Sequence, residues 1–340
     1  MMIGFLLTLA LECSSQTCPV YKCESKNYPS SDESDCLIAD SLSGTLYPRA
    51  CKYGYQCTKS GLLYTCKYPN TYSPASYVAG ISCNYDQDCV SNNLCIDNKC
   101  EGLPLSHPCK SHLDCDVGLY CSPLNSTCTP QLSIGQAGCL EDAYCVNNAG
   151  CQSYSATNPS MNICTKYFSL DDYHAILGCS KQGEINYLCN SGFCIDIGVS
   201  ICYPAPTLGK TSGKVCSGNS DCQSTETGNL KLVFYSTCEC GLNSLGTKYC
   251  SILPGDSVYN EYDSMVRSWV ESKYIKKCNT YGRFGKNCME TYWGSKKTNE
   301  FSYKEFRALN FTLIYKAEDC ALDTLLSDYQ EVASEEFEDE

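Results

Sequence analysis

Cysteine is the residue type that could do most of the chemistry in this chain, since it accounts for 31 of the 340 residues. Paired cysteines form disulfides, whereas free thiolates bind zinc or act in redox catalysis. Structural zinc sites and thioredoxin-type redox sites both use a C-x-x-C pair, which occurs nowhere in the sequence. The three histidines, His107, His112 and His174, do not lie at the spacing of metal ligands. We therefore expect structural disulfides, no metal and no cofactor.

Three consecutive units of the chain share the spacing C-x5-C-x5-C, with a fourth cysteine after 4 to 12 further residues. The units span residues 83–100, 109–128 and 139–164. A repeat of this length predicts one small cross-linked module per unit. Four cysteines allow three connectivities, so the spacing leaves the pairing open. The candidate disulfide cysteines of the repeats and of the C-terminal region are Cys83, Cys89, Cys95, Cys100, Cys109, Cys115, Cys121, Cys128, Cys139, Cys145, Cys151, Cys164, Cys278, Cys288 and Cys320.

Other cysteines constrain the bridges between units. Cys238 and Cys240 are too close in sequence to bond to each other without strain, so we expect two bridges that run in different directions. The region after Cys250 contains three cysteines, an odd number. One of them must therefore bond outside that region, most simply to Cys250, and the C-terminal region would be covalently tethered to the repeats.

An aspartate directly precedes a cysteine at Asp35, Asp88, Asp114 and Asp221. These carboxylates could be calcium ligands, or they could accept hydrogen bonds from the backbone of their own turns. A calcium loop needs several oxygen ligands at regular spacing around a glycine bend, and residues 84–88 do not provide that frame. We therefore favour the turn.

Several of these cysteine strings resemble the N-terminal cysteine-rich region of the Dickkopf family. The strings are Cys83-Asn-Tyr-Asp-Gln-Asp-Cys89, Cys109-Lys-Ser-His-Leu-Asp-Cys115 with Gly118-Leu-Tyr-Cys121, and Cys216-Ser-Gly-Asn-Ser-Asp-Cys222. The resemblance covers residues 83–128 and, more loosely, 139–151 and 216–222. It implies an extracellular protein-binding module. This chain lacks the adjacent Cys-Cys pair of that family, and we do not transfer Wnt-receptor antagonism.

The first fifteen residues have the features of a signal peptide. Ile3 to Leu11 is almost wholly apolar, and Cys13-Ser14-Ser15 offers small residues for cleavage, although no Lys or Arg precedes the apolar run. The alternative is an N-terminus packed into a core. Cleavage after Ser15 would leave 30 cysteines, an even number. We therefore expect a secreted, extracellular protein with no membrane span and with glycosylation sequons at Asn125 and Asn310.

The content of bulky apolar residues excludes a large single-core fold. Leu, Ile, Val and Phe together contribute 66 of the 340 residues, too few to fill one core of this size. We predict small disulfide-rich modules (short β-hairpins and loops) in tandem, followed by an α-helical C-terminal segment. The expected organisation is a signal peptide at 1–15, an N-terminal cysteine-rich segment at 16–80, three tandem repeats at 81–165, further cysteine-rich modules at 166–253, a disulfide-tethered helical region at 254–327 and an acidic disordered tail at 328–340.

Helical periodicity begins after residue 254. A first helix, capped by Asp256 or Ser257, is predicted to end near Cys278, before a loop at 279–285. A second helical stretch is predicted from about residue 300 to 326. The apolar stripes of the two stretches are Val258, Tyr262, Met265, Val266 and Trp269, then Phe306, Leu309, Leu313, Ile314, Ala317 and Leu325. These side chains could line a ligand groove, but a helix–helix core is the commoner meaning. Residues 230–235 are the clearest single strand.

Charge is segregated along the C-terminal region. Residues 264–316 contain eleven Lys or Arg and four acids, whereas residues 317–340 contain ten acids and no base. A net charge of −13 makes nucleic acid a poor partner. The acidic tail is either disordered or folded back on the basic helices, where it would screen a surface that binds an anionic glycan.

No set of catalytic residues emerges from the sequence. The motifs G-x-S-x-G and H-E-x-x-H are absent, and His174 beside Asp171 and Asp172 has no evident nucleophile. We therefore expect no enzymatic activity. Rigid loops and 27 tyrosines suit recognition of an extracellular protein or glycan. The alternatives are a structural component of an extracellular coat or matrix and a small-domain protease inhibitor. The oligomeric state is left open.

Overall fold

The architecture is a series of short disulfide-bonded β-modules followed by a helical segment, as composition and cysteine spacing predict. The computed structural model describes residues 18–23, 35–51, 55–60, 63–67, 77–154, 159–179, 184–205, 212–225 and 232–325. The predicted signal peptide and the acidic tail fall outside the described residues. Among the helices that are described, none combines the length and the hydropathy of a membrane span.

Six modules share one disulfide pattern, in which the first cysteine bonds to the third and the second to the fourth. The pairs, from module 1 to module 6, are Cys36–Cys57 with Cys51–Cys66, Cys83–Cys95 with Cys89–Cys100, Cys109–Cys121 with Cys115–Cys128, Cys139–Cys151 with Cys145–Cys164, Cys179–Cys194 with Cys189–Cys202, and Cys216–Cys238 with Cys222–Cys250. The three repeats are modules 2 to 4. In the chain-entropy model, each of these loops contributes about 3 kcal/mol to stability.

The strands are two to five residues long, too short to bury much apolar surface. Module 1 and the preceding segment contain β1 (Val20–Tyr21), β2 (Leu37–Ala39), β3 (Thr45–Pro48), β4 (Gln56–Ser60) and β5 (Leu63–Lys67). The repeats contain the hairpins β6 (Leu94–Ile96) with β7 (Lys99–Glu101), β8 (Leu119–Ser122) with β9 (Thr127–Pro130), and β10 (Ala149–Gln152) with β11 (Ile163–Lys166). Modules 5 and 6 contain β12 (Glu184–Ile185), β13 (Phe193–Asp196), β14 (Ser200–Cys202), β15 (Val215–Cys216), β16 (Gln223–Thr225), β17 (Val233–Tyr235), β18 (Cys238–Cys240) and β19 (Lys248–Cys250).

The hairpin register places two of the four cysteines of every module side by side. In every module the third and fourth cysteines are directly opposite each other on paired antiparallel strands, as Cys95 and Cys100 are in module 2. Each of these two cysteines bonds back to the loop that precedes the hairpin. The two bridges therefore fasten that loop to both strands.

Module 5 has the same plan as the repeats, although its cysteine spacing differs. In each repeat the segment before the module forms a parallel bridge with the second cysteine, as Leu103 does with Cys115. Leu170 forms the same bridge with Cys189 of module 5. Modules 2 to 5 are thus four copies of one structural unit.

The strand predicted at 230–235 is present in part. The structure has β17 within this range, and residues 230 and 231 lie outside the described residues.

The helical segment contains more breaks than its periodicity predicts. Its helices are α1 (Ser257–Glu271), α2 (Lys286–Trp293), α3 (Ser295–Leu309), α4 (Phe311–Ile314) and α5 (Asp319–Leu325). The predicted first helix ends seven residues early, since a 3-10 turn at Ile275–Lys277 precedes Cys278. The prediction of one second helical stretch from about residue 300 to 326 was wrong. Helix α2 was missed, and the region from α3 onward is divided into three helices.

The helices pack into the largest apolar core of the described residues. Trp269 of α1 is fully buried, and Met289 of α2 and Phe301 of α3 lie in the same cluster. The expected helix–helix core is therefore present. Leu309 was wrongly placed in the buried stripe, since it is 68% exposed at the end of α3.

Three bridges connect distant parts of the chain or close the helical segment. Cys18 bonds to Cys240, so the two cysteines of the tight pair do bond in different directions. Cys278 bonds to Cys288 within the helical segment, and Cys320 bonds to Cys23 near the N-terminus. The expected bridge from this segment to Cys250 was wrong, because Cys250 belongs to module 6. The covalent tether therefore reaches the N-terminal segment and not the repeats.

Candidate binding surface

All the cysteines singled out from the sequence lie in disulfides. In five of the modules three sulfur atoms also lie within 4.8 Å of one another, a distance that could suit a metal ion if the cysteines were reduced. A disulfide sulfur is not a thiolate, and thiolate is the form of cysteine that binds zinc. In the oxidised protein these clusters are therefore structural.

The aspartates that precede the second cysteines act within their own turns, which confirms the turn interpretation for Asp88, Asp114 and Asp221. The Asp114 carboxylate accepts hydrogen bonds from the backbone N–H groups of Lys110 (2.7 Å) and Ser111 (3.0 Å). Asp88 and Asp221 accept equivalent backbone bonds. Burial raises the pKa of Asp114, but the bonds that it accepts outweigh burial and leave the pKa below its usual value.

Each of these turns contains a second hydrogen-bond acceptor that was not predicted from the sequence. The residue three positions before the second cysteine accepts a hydrogen bond from the backbone N–H of the third cysteine. The four pairs are Asp86 with Cys95 (2.8 Å), His112 with Cys121 (3.1 Å), Asp142 with Cys151 (2.7 Å) and Asn219 with Cys238 (2.8 Å). The signal was present as an acceptor side chain at a fixed offset, but the variety of residue types concealed it.

Residues 275–283 lie between α1 and α2 and contact the repeats, and they are called here the connecting segment. Asn279 is fully buried, and its side-chain amide donates to the carbonyl oxygens of His112 (3.0 Å) and Cys115 (2.9 Å) in module 3. Its backbone N–H donates to the carbonyl oxygen of Ala79, just before module 2. One residue thus fixes the segment against module 3 and against the residues that precede module 2.

Module 4 holds the connecting segment from the other side. The side-chain amide of Asn147 donates to the carbonyl oxygens of Ile275 (2.8 Å) and Cys278 (2.7 Å). The Thr280 hydroxyl donates to the carbonyl oxygen of Ala143 at 2.6 Å. A buried carbonyl group without a hydrogen-bond donor destabilises the folded protein. These bonds therefore specify one position for the segment.

The last residue of the connecting segment, Arg283, is a buried arginine. Its guanidinium donates to the Tyr167 hydroxyl (2.8 Å) and lies 3.7 Å from the Asp142 carboxylate. The Tyr167 hydroxyl donates in turn to Asp142 at 2.8 Å. Burial raises the pKa of Tyr167 well above its usual value, Arg283 opposes this shift and Asp142 adds to it. Tyr167 therefore stays neutral and links the two charges.

Three lysines and two tyrosines meet where the connecting segment leaves the core, and they form what we call the lysine–tyrosine surface. The rings of Tyr274 and Tyr292 are nearly parallel, at 13°, with centroids 6.4 Å apart. The Lys277 ammonium lies 5.7 Å from the Tyr274 centroid and 5.2 Å from the Tyr292 centroid. Lys273 lies 5.4 Å from Tyr274, and Lys99 of module 2 lies 5.5 Å from Tyr292. Such cation–π contacts each contribute about 0.5–1 kcal/mol at exposed sites.

Close backbone contacts fix this surface in place. The Tyr292 hydroxyl donates to the carbonyl oxygen of Gly80 at 2.6 Å. Gly80 has a φ of +93°, and a Cβ atom there would lie 2.3 Å from the carbonyl oxygen of Lys277. Only glycine permits this approach, so the residues just before module 2 and the connecting segment are in direct contact beneath the surface.

The lysine–tyrosine surface is positively charged and open to solvent. Lys99, Lys273 and Lys277 are exposed, as is Lys276 next to them. None of the three lysines over the rings forms an ion pair with a carboxylate in the described part of the chain. The ammonium groups are thus held by aromatic rings and are available to an anion.

Part of this surface is evident from the sequence. The basic stretch at 264–316 contains Lys273 and Lys277, but its partner Lys99 lies in a repeat and is far away in sequence. The contact follows from tertiary packing alone. No local pattern in the repeat could have revealed it.

The two predicted glycosylation residues have different environments. Asn125 is exposed in the turn between β8 and β9. Asn310 is partly buried between α3 and α4, where its side-chain amide donates to the carbonyl oxygen of Phe306 at 3.2 Å. Of the two, Asn125 offers the freer attachment point for a glycan.

Comparison with known proteins adds no relative to these observations. The chain matches no known family, no curated protein and no solved structure.

Proposed function

We propose that this protein is a secreted, non-enzymatic binding protein whose lysine–tyrosine surface binds a sulfated glycan. The observation that carries the proposal is the convergence of Lys99, Lys273 and Lys277 on the parallel rings of Tyr274 and Tyr292. The fifteen disulfides are typical of proteins that work outside the cell, where sulfated glycans are found. The Dickkopf-like cysteine strings agree with a binding role there.

The charge arrangement favours a polyanion. Three neighbouring ammonium groups, none of which forms an ion pair with a described residue, match a ligand whose negative charges repeat along a chain. The rings restrict the lysine side chains before binding, which lowers the entropy lost when the ligand binds. A protein partner is less well matched, because protein interfaces depend on apolar or aromatic anchors and here the tyrosines are partly buried beneath the ammonium groups.

Binding to immobilised heparin, measured by surface plasmon resonance at several salt concentrations, tests this proposal. We expect saturable binding that weakens as salt rises, since salt screens exposed charges. The double variant Lys99→Ala/Lys277→Ala should bind about tenfold more weakly, as expected for two exposed charge contacts. The matched control is Lys110→Ala/Lys166→Ala, which removes the same charge from exposed positions elsewhere and should bind as the wild type does.

Three results would contradict the proposal. The first is equal weakening in the two double variants, which would mean that net charge and not this surface governs binding. The second is stronger binding to an acidic peptide than to heparin, which would favour a protein partner. The third is elution of the protein as large assemblies that do not bind heparin, which would favour the coat or matrix role.

A further inference from the structure

A cleft of about 370 Å³ lies between the helices and modules 5 and 6, and it shares no lining residue with the lysine–tyrosine surface. Its inner walls are apolar and aromatic. They include Leu253, Tyr259 and Tyr262 of the α1 region and Ala308 of α3, all of which are buried. We call this cavity the apolar cleft.

The mouth of the apolar cleft exposes large apolar side chains from three separate elements. Ile185 of β12 is 41% exposed, Tyr235 at the end of β17 is 42% exposed and Leu309 at the end of α3 is 68% exposed. Water next to such side chains is released when an apolar ligand enters, which favours binding. The cleft thus combines apolar walls with an apolar entrance.

One polar group in the apolar cleft lacks a partner. Ser236 lines the cleft and is only 6% exposed, and its hydroxyl forms no hydrogen bond within the described residues. The hydroxyls of Tyr259 and Tyr262 are already engaged, with the carbonyl oxygen of Gly192 (3.4 Å) and the Glu305 carboxylate (3.1 Å). Because buried hydroxyls are normally hydrogen-bonded, Ser236 is the group left for a polar atom of a ligand.

The residues that line the apolar cleft carry no charge. None of them is Lys, Arg, His, Asp or Glu. Burial raises the pKa of both Tyr259 and Tyr262 far above the usual value, so both phenols are neutral at physiological pH. A charged ligand would lose its hydration here without gaining an opposite charge.

We propose that the apolar cleft binds a small uncharged molecule with an apolar body and one hydrogen-bonding group, the chemistry of an aromatic or aliphatic alcohol. The lack of charge in the lining, the apolar mouth and the unpartnered Ser236 hydroxyl together specify this class. An engineered apolar cavity of about 150 Å³ accepts benzene, so a cleft of about 370 Å³ has room for a two-ring body.

Titration calorimetry with 2-naphthol on the full-length secreted protein tests the inference. We expect saturable binding with one site per chain, and binding of 2-naphthalenesulfonate at least about tenfold weaker because its charge is unpartnered in the cleft. Ile185→Trp at the mouth should fill the entrance and abolish binding. The matched control Leu140→Trp changes an aliphatic residue of similar exposure, 51% against 41%, outside the cleft and should leave binding unchanged.

Ser236→Ala tests the polar contact separately. This variant should bind 2-naphthol several-fold more weakly and bind naphthalene as the wild type does. The inference is overturned if 2-naphthol does not bind, if Ile185→Trp and Leu140→Trp behave alike, or if the sulfonate binds as well as the alcohol. A protein partner that loses affinity through Ile185→Trp while 2-naphthol fails to bind would also overturn it, in favour of an anchoring side chain.

Discussion

The side-chain amide of Asn279 donates a 2.9 Å hydrogen bond to the carbonyl oxygen of Cys115, although 164 residues separate the two. Cys115 is the second cysteine of module 3, and its own disulfide fixes it to Cys128. The bond therefore joins the connecting segment to a cross-linked point of the repeats. Buried polar contacts hold the helices and repeats together here, and no disulfide joins them among the residues that the structure describes.

Replacing Asn279 with alanine should destabilise the protein by about 1–3 kcal/mol, because two buried carbonyl groups would lose their donor. The measurement is the free energy of unfolding in guanidinium chloride with all disulfides intact. Asn287→Ala on the exposed face of α2 is the matched control and should change stability by less than about 0.5 kcal/mol. Equal values for the two variants would show that the Asn279 contacts do not support the fold.

Thiol titration of the denatured secreted protein should find no free cysteine, because all 30 cysteines from Cys18 to Cys320 are bonded. Peptide mapping without reductant should recover the crossed pairs of each module, such as Cys109–Cys121 and Cys115–Cys128. Free thiols together with bound zinc would instead mean that the close sulfur clusters hold metal. The Cys18–Cys240 peptide is the sharpest check, since it excludes a bridge within the tight pair.

Cysteine spacing predicted the modules because it reflects a local unit, but it could not predict the pairing. Pairing depends on how the loop before the hairpin packs against it, which brings Cys109 to Cys121 and Cys115 to Cys128 although Cys121 and Cys128 are opposite each other. Helix α2 was missed for a related reason. Residues 286–293 have little apolar periodicity. The helix is held by the Cys278–Cys288 bridge and by burial of Met289 in the core that also contains residues of α1 and α3. Both features are tertiary.

Acid should destabilise the repeats through Asp114. The pKa of this carboxyl is lowered in the folded protein, so its contribution to stability is full above the unfolded pKa of about 3.9 and is lost as the pH falls through the lower folded value. The free energy of unfolding should therefore decrease below about pH 4. Asp114→Asn should reduce that slope, whereas Asp172→Asn, an exposed change of the same charge, should not. Identical slopes in the two variants would assign the acid sensitivity to other groups.

Gly80→Ala should disturb both the fold and the proposed glycan site. An added Cβ would lie 2.3 Å from the Lys277 carbonyl oxygen, and the φ of +93° is strained for any other residue. We expect a loss of stability of about 1–3 kcal/mol and weaker heparin binding, since Lys277 would have to move. The control is Gly135→Ala, where φ is +85° but no atom lies within 4 Å. The Gly135→Ala variant should share the backbone strain and retain heparin binding. If it also lost binding, the weaker binding of Gly80→Ala could not be assigned to displacement of Lys277.

Removing residues 326–340 should strengthen heparin binding if the acidic tail competes for the lysine–tyrosine surface. The deletion removes seven acids and no base. The gain should be greatest at low salt and should disappear at about 1 M salt, where the screening length falls to about 3 Å. A variant with the seven acids changed to Asn or Gln keeps the length of the chain and should reproduce the gain. If neither variant binds more tightly at any salt concentration, the tail does not screen this surface, and the lysines bind their ligand without competition from the chain itself.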